Sequence, residues 1–379
     1  MKAILIKELR SMISSFSLML AIAVFFVLLG LWLWIFPDTS ILDNKFSSLQ
    51  TLFELAPWLF LFIIPALTMR SIAEEKANGT LDILRSKPIS IWGIVTGKFV
   101  ATLIMVFIMV LICQIYTFSV GQLGFPKGNL DVGGTLGSFI AWVLLAACYI
   151  SIGIFASAVS SSQMISFLLA SVLCFLVYTG PAFLATLPVL VGNLDYALQW
   201  LGMESHYQSM SKGILTNNDF FYFTSVILVF LYLSSLVLKN SGNTYSFKKS
   251  LLHPAMGFIV VSVSLSLLPF FSIDLTEDRR YTLGAETKSL IRTVDDIVYA
   301  EVLMDGRLPA AFTRLRKSAI EKLQDFNKIN KNILFKQVDP LEGDREMVKA
   351  NQEALRKDGI SPTQLTVYNG KEQEKKIIY

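Results

Sequence analysis

Few residues in this chain could carry covalent or metal chemistry. It contains 2 His and 3 Cys in 379 residues. Glu204 and His206 could help bind a metal, but a lone pair of that kind reads as surface chemistry. Cys113, Cys148 and Cys174 all fall inside apolar runs and are too dispersed for one metal site, so they read as small packing residues. The run Gly93-Ile-Val-Thr-Gly97-Lys98-Phe99 has the glycines and lysine of a phosphate loop. Its spacing is wrong and no Ser or Thr follows the Lys, so it predicts no nucleotide site. The deep apolar runs also lack the ionisable residues of a proton relay or an intramembrane hydrolase. Enzymatic chemistry, a cofactor and a metal are therefore not expected in this chain.

The charges of the first half gather instead in one stretch, Arg70 to Ser90, between two long apolar segments. Ile72-Ala73-Glu74-Glu75-Lys76 reads as one helical piece. Asn78-Gly79-Thr80 reads as a stop, because Gly takes the left-handed conformation that ends a helix. Thr80 then caps a second short helix, Leu81 to Arg85, with Ile83 and Leu84 as its apolar side. Lys87-Pro88 ends that helix, since Pro removes a donor and restricts the residue before it. Two short amphipathic pieces joined at a bend, with a span on each side, have the shape of a lever pressed by a cytoplasmic partner. The plainer alternative is a solvated connector. On the lever reading, Glu74 and Glu75 make charged contacts with the partner and Gly79 sets the bend. Ile83 and Leu84 form the apolar centre, and Thr80 and Pro88 bound the second piece.

The elements that must hold this stretch are membrane spans. Hydrophobic residues make up 53% of the chain and charged residues 16%, too few charges for an ordinary soluble protein. Uncharged runs extend from Ser11 to Pro37, Leu55 to Met69, Phe99 to Pro126, Val132 to Leu194, Phe220 to Leu238 and Ser250 to Ile273. A spanning helix needs roughly 20 mostly apolar residues. The Val132 to Leu194 run holds two, with a turn near Ser160-Ser161-Ser162-Gln163, which gives seven spans. The second reaches the required length if Thr51 to Leu55, with Glu54, lies at the headgroup level. The third runs from about Lys98 to Val120. The first is too long for a signal-peptide core and no small-residue cleavage site follows it.

Before that first span, Leu5, Leu9, Met12 and Phe16 recur at helical spacing, with Lys2, Glu8 and Arg10 elsewhere on the wheel. This reads as an amphipathic helix in the inner interface, or as the start of the first span. Ser151, Gly153, Ala156, Ser157, Ser160, Ser166, Ala170 and Ser171 let the fourth and fifth spans approach their neighbours closely. Thr179-Gly180-Pro181 and Leu187-Pro188 predict a broken or re-entrant element. Tyr196, Trp200, Tyr207, Phe220, Phe221 and Tyr222 predict an interfacial aromatic belt.

Lys and Arg set the orientation. Lys2, Lys7 and Arg10, then Arg70, Lys76, Arg85, Lys87 and Lys98, then Lys239, Lys248 and Lys249, fall on one side of seven spans, expected to be the cytoplasm. The opposite loops hold only Lys45, Lys127 and Lys212. The net charge of +4 then reflects topology rather than nucleic-acid binding. Residues 241–250 read as a cytoplasmic linker, 251–273 as the seventh span, and 274–379 as an α/β domain on the far side. In that domain Ile297 to Leu303 and Ile333 to Val338 predict strands. Pro309 to Ile329 and Asp344 to Lys357 predict helices, with Gly359 as a stop. Gln364 to Tyr379 predicts a hairpin turning at Asn369-Gly370. Alternating strands and helices point to a partly parallel sheet. The chain ends on a strand pattern with no cap, so an incomplete domain is expected. With no His and no Cys, the domain is expected to bind rather than catalyse.

Residues 1–240 resemble an ABC-2-type transporter permease with six transmembrane helices. The resemblance rests on Ala73-Glu74-Glu75 through Gly79-Thr80-Leu81, on Pro88-Ile89-Ser90 and Gly97-Lys98, and on His206-Tyr207 through Lys212-Gly213-Ile214. Residues 251–379 resemble the auxiliary subunit of the gliding-motility transporter, GldG-type. The stretches Asp274 to Leu283, Asp295-Asp296-Ile-Val and Pro309 to Arg316 carry that likeness, and the permease half then resembles the GldF type. Fusion of the two departs from the usual two-chain arrangement. The resemblance implies an inner-membrane permease that pairs with a second copy of itself, contacts membrane lipid, and works with two cytoplasmic ABC ATPase subunits. ATP and Mg would be bound there and not here. It implies a role in gliding motility or linked secretion. Export of a lipid, polysaccharide or drug is the alternative, and a non-transporting membrane anchor for the α/β domain is a third reading.

Overall fold

The computed structural model describes residues 2–36, 39–44, 47–185, 198, 201–239, 272–277, 279, 282–303, 310–340, 345–361, 363–369 and 372–378. The expected linker 241–250 and the expected seventh span as far as residue 271 lie outside the described residues. So do Leu187-Pro188, Tyr196, Trp200 and Asp344.

The first unit is a helical bundle. Its elements are α1 (Lys2–Ser14), α2 (Phe16–Trp34), α3 (Ile41–Asn44), α4 (Gln50–Thr68), α5 (Ala73–Ala77), α6 (Thr80–Arg85), α7 (Ile91–Ile112) and α8 (Gln114–Leu123). They continue with α9 (Val132–Val159), α10 (Gln163–Ala185), α11 (Met203–Met210), β1 (Ile214–Thr216), α12 (Asn217–Lys239) and β2 (Ser272–Asp274). Among the described residues, 6 stretches are long and apolar enough to cross a membrane: α2, α4 continued to Ala77, α7 with α8, α9, α10 and α12. A helix is what such sequence must form in hydrocarbon, because every backbone donor and acceptor is then satisfied within the segment. The turn between α9 and α10 falls at Ser160–Ser162, where the Ser162 N–H donates to Ser160 Oγ.

The bundle centres on α9, whose Trp142, Tyr149 and Ser151 are fully buried. Phe60 stacks on Trp142 at 5.0 Å between ring centroids, and Phe53 meets Phe139 edge-on at 5.0 Å. Small residues allow the close approach expected of them. Gly153 faces Thr68 of α4 so tightly that a Cβ would overlap the threonine side chain.

Four expectations need correction. The third span begins at Ile91, where Ser90 Oγ accepts from the Gly93 N–H at 3.1 Å, so Lys98 lies inside a helix and not at its edge. α10 runs unbroken across Gly180-Pro181 to Ala185. Pro181 withholds one donor near the helix end, which does not break the turns before it. Tyr207 and Tyr222 are buried inside the bundle and do not face outward as belt residues would, with the Tyr207 hydroxyl donating to the Phe53 carbonyl at 2.7 Å. α1 turns Ile4, Glu8 and Met12 inward, so its buried stripe includes a carboxylate.

The second unit holds α13 (Ala285–Arg292), β3 (Val298–Val302), α14 (Ala310–Ile329), β4 (Ile333–Gln337), α15 (Arg345–Lys357), β5 (Thr363–Asn369) and β6 (Glu372–Ile378). β3 and β4 are parallel, in register from Val298↔Ile333 to Val302↔Gln337, and α14 joins them. β5 and β6 form the antiparallel hairpin, in which Asn369 is the last residue of β5, paired with Glu372, and not a turn residue as expected. Asn330 ties the unit together. Its Nδ2 donates to the Ile291 and Val294 carbonyls at 2.8 Å each, and its Oδ1 accepts from the Asn332 N–H at 3.0 Å. The helix α13 is an element that the sequence pattern did not show.

Candidate functional site

The stretch 70–90 folds as the bent pair of helices α5 and α6. Gly79 makes the bend with φ 69°, a conformation that costs other residues about 1–2 kcal/mol. It is itself the N-cap of α6. Thr80 is therefore the first helical residue and not the cap, and its hydroxyl reaches back to the Glu75 carbonyl at 3.3 Å. α6 ends at Arg85. Ser86, Lys87 and Pro88 are exposed and lead to α7.

The two glutamates do not share one role. They are neighbours on a helix, so their side chains point about 100° apart. Glu74 is on the accessible side, paired with Arg70 Nε at 3.0 Å. Glu75 is 9% exposed and turned inward. Lys7 Nζ donates to its Oε1 at 2.7 Å, and Lys98 Nζ lies 3.0 Å from its Oε2. Lys98 is 1% exposed and completes its coordination with Glu8 Oε1 at 2.8 Å and the Ser71 carbonyl at 2.6 Å. Two of the three ammonium donors are spent on Glu8 and the Ser71 carbonyl, and Glu75 Oε2 faces the charge as an ion pair. Glu75 as a direct contact for a partner is thus corrected: its charge is committed inside the chain.

Lys7 sits outside the spans. Partial burial pulls its pKa down, but the hydrogen bond and charge of Glu75, with the charge of Glu8, more than offset this and hold it above the ordinary lysine value. It stays cationic across the physiological range.

Other bundle helices also grip the pair. Ser157 Oγ of α9 accepts from the Ile72 and Ala73 N–H groups at 2.9 Å each and donates to the Met69 carbonyl at 3.1 Å. Lys76 Nζ donates to the Ala158 carbonyl, and Arg85 Nη2 to the Leu238 carbonyl of α12. Arg70 Nη1 reaches Ser15 Oγ at 3.0 Å and Ser17 Oγ at 3.2 Å, at the start of α2. Leu81 is the residue of α6 that enters the core, Leu84 is half-buried, and Ile83 stands 62% exposed. A polar cleft of about 390 Å³ opens beside the pair, with Lys7, Ser11, Arg70, Glu74, Asn78 and Thr80 among its lining. The helix pair is therefore attached at its back to α1, α7, α9 and α12 and open at its front, where Arg70 links Glu74 to the start of α2.

Sequence reading did not show that Lys98, Glu8, Ser157, Lys76 and Arg85 anchor this stretch. One signal was available: a lysine at the head of a long apolar run needs a counter-charge. Nothing in the sequence said that Glu8 and Glu75 would supply it. His206 was also misjudged. It is buried, its Nδ1 lies 2.6 Å from Asp219 Oδ1 in the first turn of α12, and its ring stacks on Tyr222. Among the described residues, no group of three His, Cys, Asp or Glu side chains is placed to hold a metal.

A polytopic helical bundle with an anchored pair of short helices ahead of α7 defines a class, that of multi-pass membrane proteins. The chain belongs to the ABC-2 family of transporter proteins: residues 2–275 match the model described as ABC-2 family transporter protein. Residues 277–379 match a domain of unknown function (DUF7088). No curated protein matches the chain. The protein is accordingly a multi-pass membrane component of a transporter.

Proposed function

We propose that this chain is the permease subunit of a complex powered by a separate cytoplasmic ABC ATPase, and that α5 and α6 receive the ATPase stroke. The observation that carries the reading is the polarity of the helix pair. Its back is bonded to four bundle helices, α1, α7, α9 and α12, while Ile83, Pro88 and the Glu74–Arg70 pair face outward. A push on the front must move what the back holds. Ile83 and Leu84 give the contact its apolar centre, where truncation tends to cost most, and Glu74 lies at its rim. Glu75 works from inside by tying the pair to α1 and α7, Gly79 fixes the bend, and Thr80 braces it.

In this reading two ATPase subunits bind ATP and Mg, and a second copy of this chain completes the pathway. The Lys- and Arg-rich end of the bundle faces the cytoplasm of the inner membrane, and residues 274–379 lie in the periplasm. The described chain supports an odd number of crossings. Leu238 lies beside Arg85 at the hairpin end, whereas Ser272–Asp274 pair with β1 at the opposite end. The likeness of residues 251–379 to the GldG type makes gliding motility or linked secretion the process we assign.

The test is recruitment. Ile83→Asp combined with Glu74→Lys, purified from membranes of its own host, should lose the ATPase while inserting normally. Equal recruitment by the variant and the parent would return the stretch to a solvated connector.

A further inference from the structure

Residues 272–277 lead from the bundle toward the second unit, and the end of the bundle opposite the hairpin is shaped around them. β2 pairs antiparallel with β1, from Ile214↔Asp274 to Thr216↔Ser272. The Leu275 N–H then donates to the Gly213 carbonyl at 3.0 Å. The Leu275 carbonyl lies on Gly133, so close that any Cβ there would overlap it. Thr276 is buried, and Asp274 Oδ1 accepts from its N–H at 3.1 Å and its hydroxyl at 2.6 Å. The Glu277 N–H donates to Asp131 Oδ1 at 3.2 Å. That same oxygen caps α9 by accepting from the Gly134 N–H at 2.8 Å.

Glycine makes this fit possible. Gly213 has φ 87°, and a Cβ on it would stand 2.7 Å from the Gly134 Cα. A Cβ on Gly137 would stand 2.8 Å from the Gly213 Cα. Each of Gly133, Gly134 and Gly137 costs a helix about 0.5–1 kcal/mol relative to Ala. A helix that only had to cross a membrane would gain nothing from them in its first two turns. Backbone-to-backbone contact with Gly213 and Leu275 accounts for Gly133 and Gly137.

We propose that this glycine seat is a mechanical joint that makes residues 272–277 a fixed arm of α9 and β1 rather than a free tether. α9 is also the helix whose far end holds the hairpin through Ser157 and Ala158. Displacement of α9 by the hairpin is then delivered to the chain entering the second unit. The joint stands on its own contacts, and only its use as an output rests on the coupling reading above.

Site-directed spin labelling of the full chain in membranes tests the joint without any ATPase. A nitroxide is placed on Glu277→Cys, with Gln208→Cys on the exposed side of α11 as reference. The native cysteines are buried, and protein without an introduced cysteine gives the background. The label at 277 should be immobilised, and Gly133→Leu should speed its motion several-fold while the label at 208 is unchanged. A mobile label at 277 in the parent, or one equally slow in Gly133→Leu, overturns the proposal. If Gly133→Leu also loosens position 208, Asp131→Ser decides. It keeps a helix cap but is too short to hold Glu277, so faster motion at 277 alone supports the joint and unchanged motion overturns it.

Discussion

Lys98 reaches out of α7 to Glu75 of α5 at 3.0 Å, and does so 1% exposed to solvent. A charge this deep in a membrane protein is costly unless it is fully paired. Here the pairing joins three segments, since Glu8 of α1 takes the same ammonium. The cluster therefore couples α1, α5 and α7 into one body. On the proposed reading, a push on α5 would be transmitted because the joint behind it is ionic and enclosed, with little freedom to slip.

Removing one partner of a buried pair is strongly destabilising, because it leaves the other charge uncompensated. Lys98→Met should lower the stability of the detergent-purified protein by about 3 kcal/mol, read as its thermal unfolding midpoint. Glu74→Gln should change it by less than about 1 kcal/mol, since the side chains of that pair are 33% and 36% exposed and water screens them. Equal midpoints for Lys98→Met and the parent would show that the cluster holds nothing.

Gly79 separates a backbone effect from a steric one. No atom lies within 4 Å of where its Cβ would stand, so a side chain has room. Only the positive φ resists it. Gly79→Asn, which tolerates that region, should retain ATP-dependent function, and Gly79→Val should lose most of it while inserting normally. Equal activity of the two variants would mean that the bend does not matter.

Topology gives a third outcome. Lys87→Cys and Glu286→Cys should label from opposite faces of the membrane, Lys87 from the cytoplasm. Both positions are outside the six described spans. Labelling of both from one side would remove the seven-span arrangement.

The spans were legible because hydrocarbon demands long uncharged runs, and the six described ones lie where those runs lie. The bend was legible because Asn78-Gly79 states its backbone conformation directly. β3, α14, β4 and α15 were legible from their period, and the β5–β6 hairpin was legible with its turn placed one residue early. The joints were not. Glu8 and Glu75 look like any surface carboxylates on short amphipathic helices, and only tertiary packing turns them toward Lys98. Ser157 reads as a small residue for close helix approach. Its hydroxyl caps the start of α5 only because Gly153, one turn earlier on α9, lets that helix close on Thr68 at the end of α4. Gly133 and Gly213 likewise carry no visible message until Leu275 lies on one and bonds to the other.

The central claim is that the helix pair is where an ATPase presses, and a photo-crosslinking side chain at Ile83 asks this directly. Phe16, 82% exposed at the start of α2, is the control position. Irradiation in living cells, followed by mass spectrometry of the adducts, should give at position 83 a soluble protein carrying ABC ATPase motifs, and at position 16 lipid adducts alone. Lipid adducts alone at both positions would contradict the account.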